Sequence, residues 1–98
     1  MNISTALGTS FPAARGLQII YVPTHANGNL NHPDCEQGFV MYTKVDTAFA
    51  YCAFWRKGTN ELRTLSNAEG VYYRDLIAAP TRSPEVVDAA IALLLQED

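Results

Sequence analysis

The chain is 98 residues long, 48% hydrophobic and 17% charged, with ten Asp and Glu against seven Lys and Arg for a net charge of -3. That length fits one domain whose core needs neither a disulfide nor a metal, and the acidic balance disfavours nucleic acid as a partner. No run approaches the ~20 apolar residues of a membrane span and the N-terminus lacks a signal-like pattern, which predicts a soluble, cytoplasmic protein with Cys35 and Cys52 reduced.

Residues 1–16 (MNISTALGTSFPAARG) lack both the two-residue and the 3.6-residue period and read as a flexible arm. A small β-barrel is expected over residues 17–77. Its first strand is Leu17 to Pro23, with Leu17, Ile19 and Tyr21 on one face and Pro23 ending the ladder for want of an N–H. Thr24 to Gly38 (THANGNLNHPDCEQG) is dense in turn formers and reads as one long, ordered loop, and loops of that length are more often functional than idle. Phe39 to Val45 alternates Phe39, Met41, Thr43 and Val45 against Val40, Tyr42 and Lys44, and Asp46-Thr47 turns it into a hairpin. The returning strand, Ala48 to Trp55, is apolar on both faces and so is expected to be central and covered twice. Leu62 to Ser66 and Val71 to Ile77 are read as the fourth and fifth strands, giving a mostly β fold: a five-stranded SH3-like barrel.

Residues 78–98 form a linker and a helix. Ser83-Pro84-Glu85 supplies an N-cap, a proline at the first helical position and an acid at the positive end of the dipole. Val87, Ala90, Ile91, Leu94 and Leu95 make a broad apolar stripe, expected to pack on the Ala48, Ala50, Cys52 and Phe54 face of the sheet. Surplus apolar residues such as Val86 and Leu93 leave two readings, a homodimer or isolated exposed side chains.

His25, His32, Asp34 and Cys35 fall within eleven residues, and all four types ligate transition metals; a zinc-binding loop is therefore one reading. The other is that the same side chains satisfy the backbone of a turn-rich loop, with Cys35 a small buried hydrophobe. A thiol hydrolase using Cys35 with His25 or His32 is a further alternative, weakened by Asp34 and Glu36, which raise a neighbouring thiol pKa. Tyr21, Tyr42, Tyr51, Trp55, Tyr72 and Tyr73 form an aromatic set, part of it core. Tyr42, Trp55, Tyr72 and Tyr73 with Arg56, Lys57, Arg63 and Arg74 are the candidate binding residues, by stacking and cation–π contact, against the alternative of ordinary core and solvated charge. No paired-carboxylate, Ser-His-Asp or phosphate-loop pattern is present, so no catalytic residue is assigned.

The segment IYVPTHANGNLNHPDCEQGFV with AFAYCAFWRKGTNELRTLSNAEGVYYRDLI, Ile19 to Ile77, resembles a group of small proteins of phages, prophages and other mobile elements. Its specific part is His25-Ala26-x-Gly28 with His32-Pro33-Asp34-Cys35-Glu36-x-Gly38. The chain departs from that pattern at Ala53, where the group carries Arg, and in its N-terminal arm and C-terminal helix. The group has no assigned activity. What the resemblance implies is a compact SH3-like or KOW-like β domain serving as a non-catalytic accessory protein that binds a macromolecule, in the first place a protein. One form of this is an inhibitor of a host defence system. No cofactor is implied beyond the zinc alternative.

Overall fold

β-branched and aromatic residues dominate the segments that pair. In the computed structural model, which describes residues 15–43, 48–63 and 68–96, they form β1 (Gln18–Tyr21), β2 (Glu36–Thr43), β3 (Phe49–Phe54), β4 (Glu69–Tyr72) and β5 (Leu76–Ala78). The strands make one antiparallel sheet in the order β4-β3-β2-β1-β5, followed by helix α1 (Pro84–Leu95). The expected mostly β fold with a C-terminal helix is therefore the one observed. No ladder joins β4 to β5 among the described residues. Even so, Ile19, Val40, Cys52, Tyr73 and Leu76 share a single core cluster with Val71 against it, so the sheet curls around that face. No helix among the described residues is long and apolar enough to cross a membrane.

Strand number matches expectation, but two strands are placed differently. Leu62 forms only an isolated bridge to Trp55, and 64–67 lie outside the described residues, as do 1–14 of the expected arm and the 44–47 hairpin connection. Val71 to Ile77 is two strands, split by a 3-10 turn at Tyr73–Asp75. The split is topological: β4 and β5 lie on opposite edges of the sheet, so the chain must turn between them, and it does so where the Tyr73 ring enters the core. The expected long loop also ends earlier, because Tyr21, Ile20 and Ile19 pair with Glu36, Gln37 and Gly38.

β3 is covered on both faces, as its composition predicts. Ala50, Cys52 and Phe54 point into the curled sheet, and burial, with the Glu69 charge second, pushes the Cys52 thiol up to about 12. The helix, however, packs on the opposite face from the one expected. Val87 and Ala90 meet Phe39, Met41, Ala53, Trp55 and Leu62. The inner face is already filled by β1, β5 and Tyr73, leaving Ala53 and Trp55 as the surface that needed a cover. Ser83 caps α1, its Oγ accepting the Val86 N–H, with Pro84 next and Glu85 in the first turn, as the sequence indicated. Val86 is half-buried against the same cluster, so the apolar surplus of the helix reduces to Leu93 and Leu95.

A β-bulge decides the rest of the outer face. Val40 pairs with Cys52 and Tyr42 with Tyr51, so Met41 is the extra residue and the predicted alternation breaks there. Tyr42 consequently shares the side of Phe39 and Met41 rather than opposing them.

Gly38 sits where β2 passes closest to β3. A Cβ there would overlap the Ala53 carbonyl oxygen and crowd the Phe54 ring, and the obstacle is backbone that cannot swing away. Gly38→Ala is expected to cost about 1–3 kcal/mol or more, as overpacked sites do, read as a lower denaturation midpoint at unchanged slope. Ending the chain after Pro80 would expose the Phe39, Met41, Ala53 and Trp55 face; loss of the cooperative melt and a red-shifted Trp55 emission are the expected outcomes.

Candidate functional site

The loop between β1 and β2 is built from successive tight turns. Ala26, Asn29, His32 and Cys35 each donate their N–H to the carbonyl three residues back, of Pro23, Ala26, Asn29 and His32. Asn27 and Gly28 occupy the left-handed region at φ 53° and 78°, which Asn and Gly tolerate best. Asn29 Oδ1 accepts the Asn31 N–H, while Ala26 and Cys35 are buried against Ile20 and fasten the loop to the sheet. Lys57 adds a strap from the β3 side, donating to the Pro33 carbonyl.

Three of the four predicted metal ligands come together. Donor atoms of His25, His32 and Asp34 lie within 4.8 Å of one another. They are engaged with each other: His25 Nε2–H donates to Asp34 Oδ2 at 2.6 Å, the Asp34 N–H donates to His32 Nδ1 at 3.0 Å, and the two imidazoles meet edge to face at 5.2 Å. Two donors on one zinc ion, at about 2.0–2.1 Å each, can stand no more than about 4.2 Å apart, close to the 4.8 Å limit that these three keep, so an ion would have to replace the hydrogen bonds between them. The Nδ1 that accepts an N–H also leaves the proton of neutral His32 on Nε2, away from a ligating role there. Cys35 stands outside the group, buried, its Sγ–H donating to the Asn29 carbonyl at 3.3 Å. The geometry is that of a side-chain network ordering the loop.

The predicted binding residues separate into several places. Trp55 and Tyr73 are core, 3% and 7% exposed, so neither offers an open ring. Burial raises the Tyr73 hydroxyl pKa, partly offset by its hydrogen bond with Thr43. Arg63 is held by Glu36 and Glu69, which link β2 to β4, and lies over the Phe54 ring. Arg56 and Lys57 sit in the turn after β3: Arg56 lines a depression beside α1 together with Arg63 and Glu61, Lys57 reaches the β1–β2 loop, and Arg74 lies over the Tyr72 ring.

Tyr42 and Tyr72 are different. They are 43% and 42% exposed, and they lie on the outer face beyond the reach of α1. Tyr42 stacks on Tyr51 at 4.7 Å and 9°, Phe49 packs on Tyr72 at 4.5 Å, and Arg74 covers Tyr72 at 4.5 Å. Gly70, opposite Tyr51, joins the two pairs. A Cβ there would stand 3.2 Å from Tyr51 Cε1 and 3.8 Å from Phe49 Cδ1, so both rings lean over the glycine and the four make one continuous surface. Phe49 and Gly70 were not among the sequence candidates, and Tyr51 was present only in the wider aromatic set. Their signal was the i, i+2 spacing of Phe49 and Tyr51 on a strand of otherwise small residues.

Gln18 and Arg82 were also missed. Gln18 Oε1 accepts the N–H groups of Thr81 and Arg82, and its Nε2 donates to the Arg82 carbonyl, clamping the linker to β1. The Arg82 guanidinium then lies over the Trp55 ring at 5.3 Å. The chain matches no protein-family model, no curated protein and no solved structure.

The His25 hydrogen bond, opposed by desolvation and helped by the His25, His32 and Lys57 charges, holds the Asp34 carboxyl below its ordinary value of 3.8. A lowered folded pKa gives stability that is complete above the ordinary value and is lost as pH falls through the folded one. A carboxyl-carbon NMR titration is expected to place the Asp34 midpoint below 3.8 in the native chain. In His25→Ala that midpoint should move up toward the ordinary range.

Proposed function

We propose that the chain is a non-catalytic binding module that takes an extended segment of a partner protein across the outer aromatic face. The observation that carries the reading is the continuous surface of Tyr42, Tyr51, Phe49 and Tyr72 capped by Arg74. Aromatic rings held rigidly by their neighbours offer large contact area with little ordering cost, and such residues dominate binding hot spots. β4 borders this surface, and among the described residues no strand pairs with its outer edge. An extended segment laid along β4 would gain backbone hydrogen bonds there and set alternate side chains against the rings. Proline and aromatic side chains suit those faces, and a net charge of -3 argues for a protein rather than a phosphate backbone.

The thiol chemistry lends no support to the hydrolase alternative. Cys35 is buried with its Sγ–H donated to a carbonyl, and burial pushes the Cys52 thiol up to about 12, so Cys52 is no thiolate near neutrality. Both cysteines are free, which suits the reducing cytoplasm. The likeness of the His25-to-Gly38 motif to proteins of phages and mobile elements supports an accessory role in which the bound segment belongs to a host protein, a defence component being one such target.

A displayed library of random extended peptides tests the reading. Enriched peptides are expected to shift the amide resonances of β3 and β4 and to lose about tenfold or more in affinity on Tyr72→Ala or Tyr42→Ala, substitutions at exposed positions that leave the core intact. Enriched peptides that bind both variants as they bind the native chain, or a library that yields none, would overturn it.

A further inference from the structure

The space beneath the β1–β2 loop is separate from the aromatic face, sharing none of its residues. A cavity of about 260 Å³ opens there between the loop, the turn after β3 and the linker ahead of α1. Lys57, Arg82 and His32 line it together with Gln37 and Trp55, and among the described residues no carboxylate does. Asp34 lines the adjoining depression and is bonded to His25.

The charge on this wall is unusual in how it is held. Arg82 makes all its hydrogen bonds to neutral oxygens: Nε and Nη2 to the Thr59 carbonyl, Nη1 to Gln37 Oε1 and the Thr81 carbonyl. Its backbone is fixed by the Gln18 clamp, and it forms no ion pair among the described residues. Lys57 is likewise bonded to a carbonyl rather than to an acid. A half-buried guanidinium set in place by uncharged acceptors keeps its full charge and at least one N–H for a ligand. Trp55, which lines the cavity, and Thr81, next to Arg82 in the chain, each keep one buried polar atom, Nε1 and Oγ1, without a partner among the described residues.

We propose that this cavity binds a small oxyanion, a carboxylate or phosphate group carried on a compact apolar body. The cations and the proton on His32 Nε2 recognise the anionic head, and Ile20 and Leu30 receive the apolar part. The volume, near the lower end of ligand pockets, limits the ligand to a few heavy atoms beyond the head.

Trp55 is the only tryptophan of the chain, so its emission and its indole N–H resonance come from one residue, and that residue lines this wall. Titration with inorganic phosphate and, separately, with acetate, at constant ionic strength set by sodium chloride, is expected to give a saturable change with at least one of them. Response to phosphate alone identifies a phosphoryl head, and response to acetate a carboxylate. Lys57→Gln, at an exposed position, should weaken the interaction about tenfold, the worth of a hydrogen bond to a charged group. Arg82→Lys should do at least as much, because a point charge cannot keep the fork that Thr59, Thr81 and Gln37 hold. Tyr72→Ala should change nothing here, which separates this site from the aromatic face. No saturable response to either anion, or one that both cation variants leave intact, would overturn the proposal.

Discussion

β2 and β3 approach each other so closely at Gly38 that no side chain fits between that residue and the Ala53 carbonyl, and the pair they form is buried on both faces. On one side Val40, Cys52 and Phe54 meet Ile19 and Leu76; on the other Phe39, Ala53 and Trp55 meet α1. Everything with a claim to function hangs from the ends of this pair. The His25-to-Cys35 loop enters β2 at Glu36, the Lys57 turn leaves β3 after Trp55, and the aromatic face occupies the opposite end, where Tyr42 follows the bulge at Met41. A shift of one residue in β2 would turn Phe39 and Tyr42 together toward the inner face and Val40 toward the outer one, because side chains alternate faces with a period of two.

The bulge and the helix divide the outer face between them. α1 covers it from Trp55 to Met41, and the residues beyond are the stacked rings. Each aromatic pair is worth about 0.5–1.5 kcal/mol beyond the area it buries, so the surface is rigid before any partner arrives. Rigidity of that kind is what lets an exposed patch bind without first ordering its own side chains.

Net charge describes this protein poorly. Its cations are sorted by what holds them: Arg63 between two carboxylates, Arg74 on an aromatic ring, Arg82 and Lys57 on neutral carbonyls. Of these only Arg63 has its charge met by carboxylates, and an acidic chain can therefore carry an anion-binding cavity. The three functional candidates accordingly use different physics: a hydrogen-bonded imidazole–carboxylate network, a stacked apolar face and a preset guanidinium.

Much of this was legible in the linear chain wherever one short stretch holds all the information. The β-branched runs, Pro23 as a strand end, the Ser83-Pro84-Glu85 start of the helix and the double burial of Ala48 to Trp55 are local properties, as is the turn chemistry of Asn27, Gly28 and Asn29. The closeness of His25, His32 and Asp34 was legible only as a possibility, since the stretch from His25 to Asp34 can span about 30 Å when extended; it is the succession of tight turns that folds it back. What the sequence could not decide was which side of a doubly apolar strand the helix would cover. Both faces of β3 offer similar hydrophobicity, and the choice was made by β5 and Tyr73 occupying the inner one. Nor could it locate the bulge at Met41, whose extra residue exists only relative to β3, or the break at Tyr73, forced by two strands taking opposite sheet edges. Gln18 clamping Arg82, 64 residues away, is of the same kind: a contact between distant segments has no periodicity to announce it, and only packing brings it about.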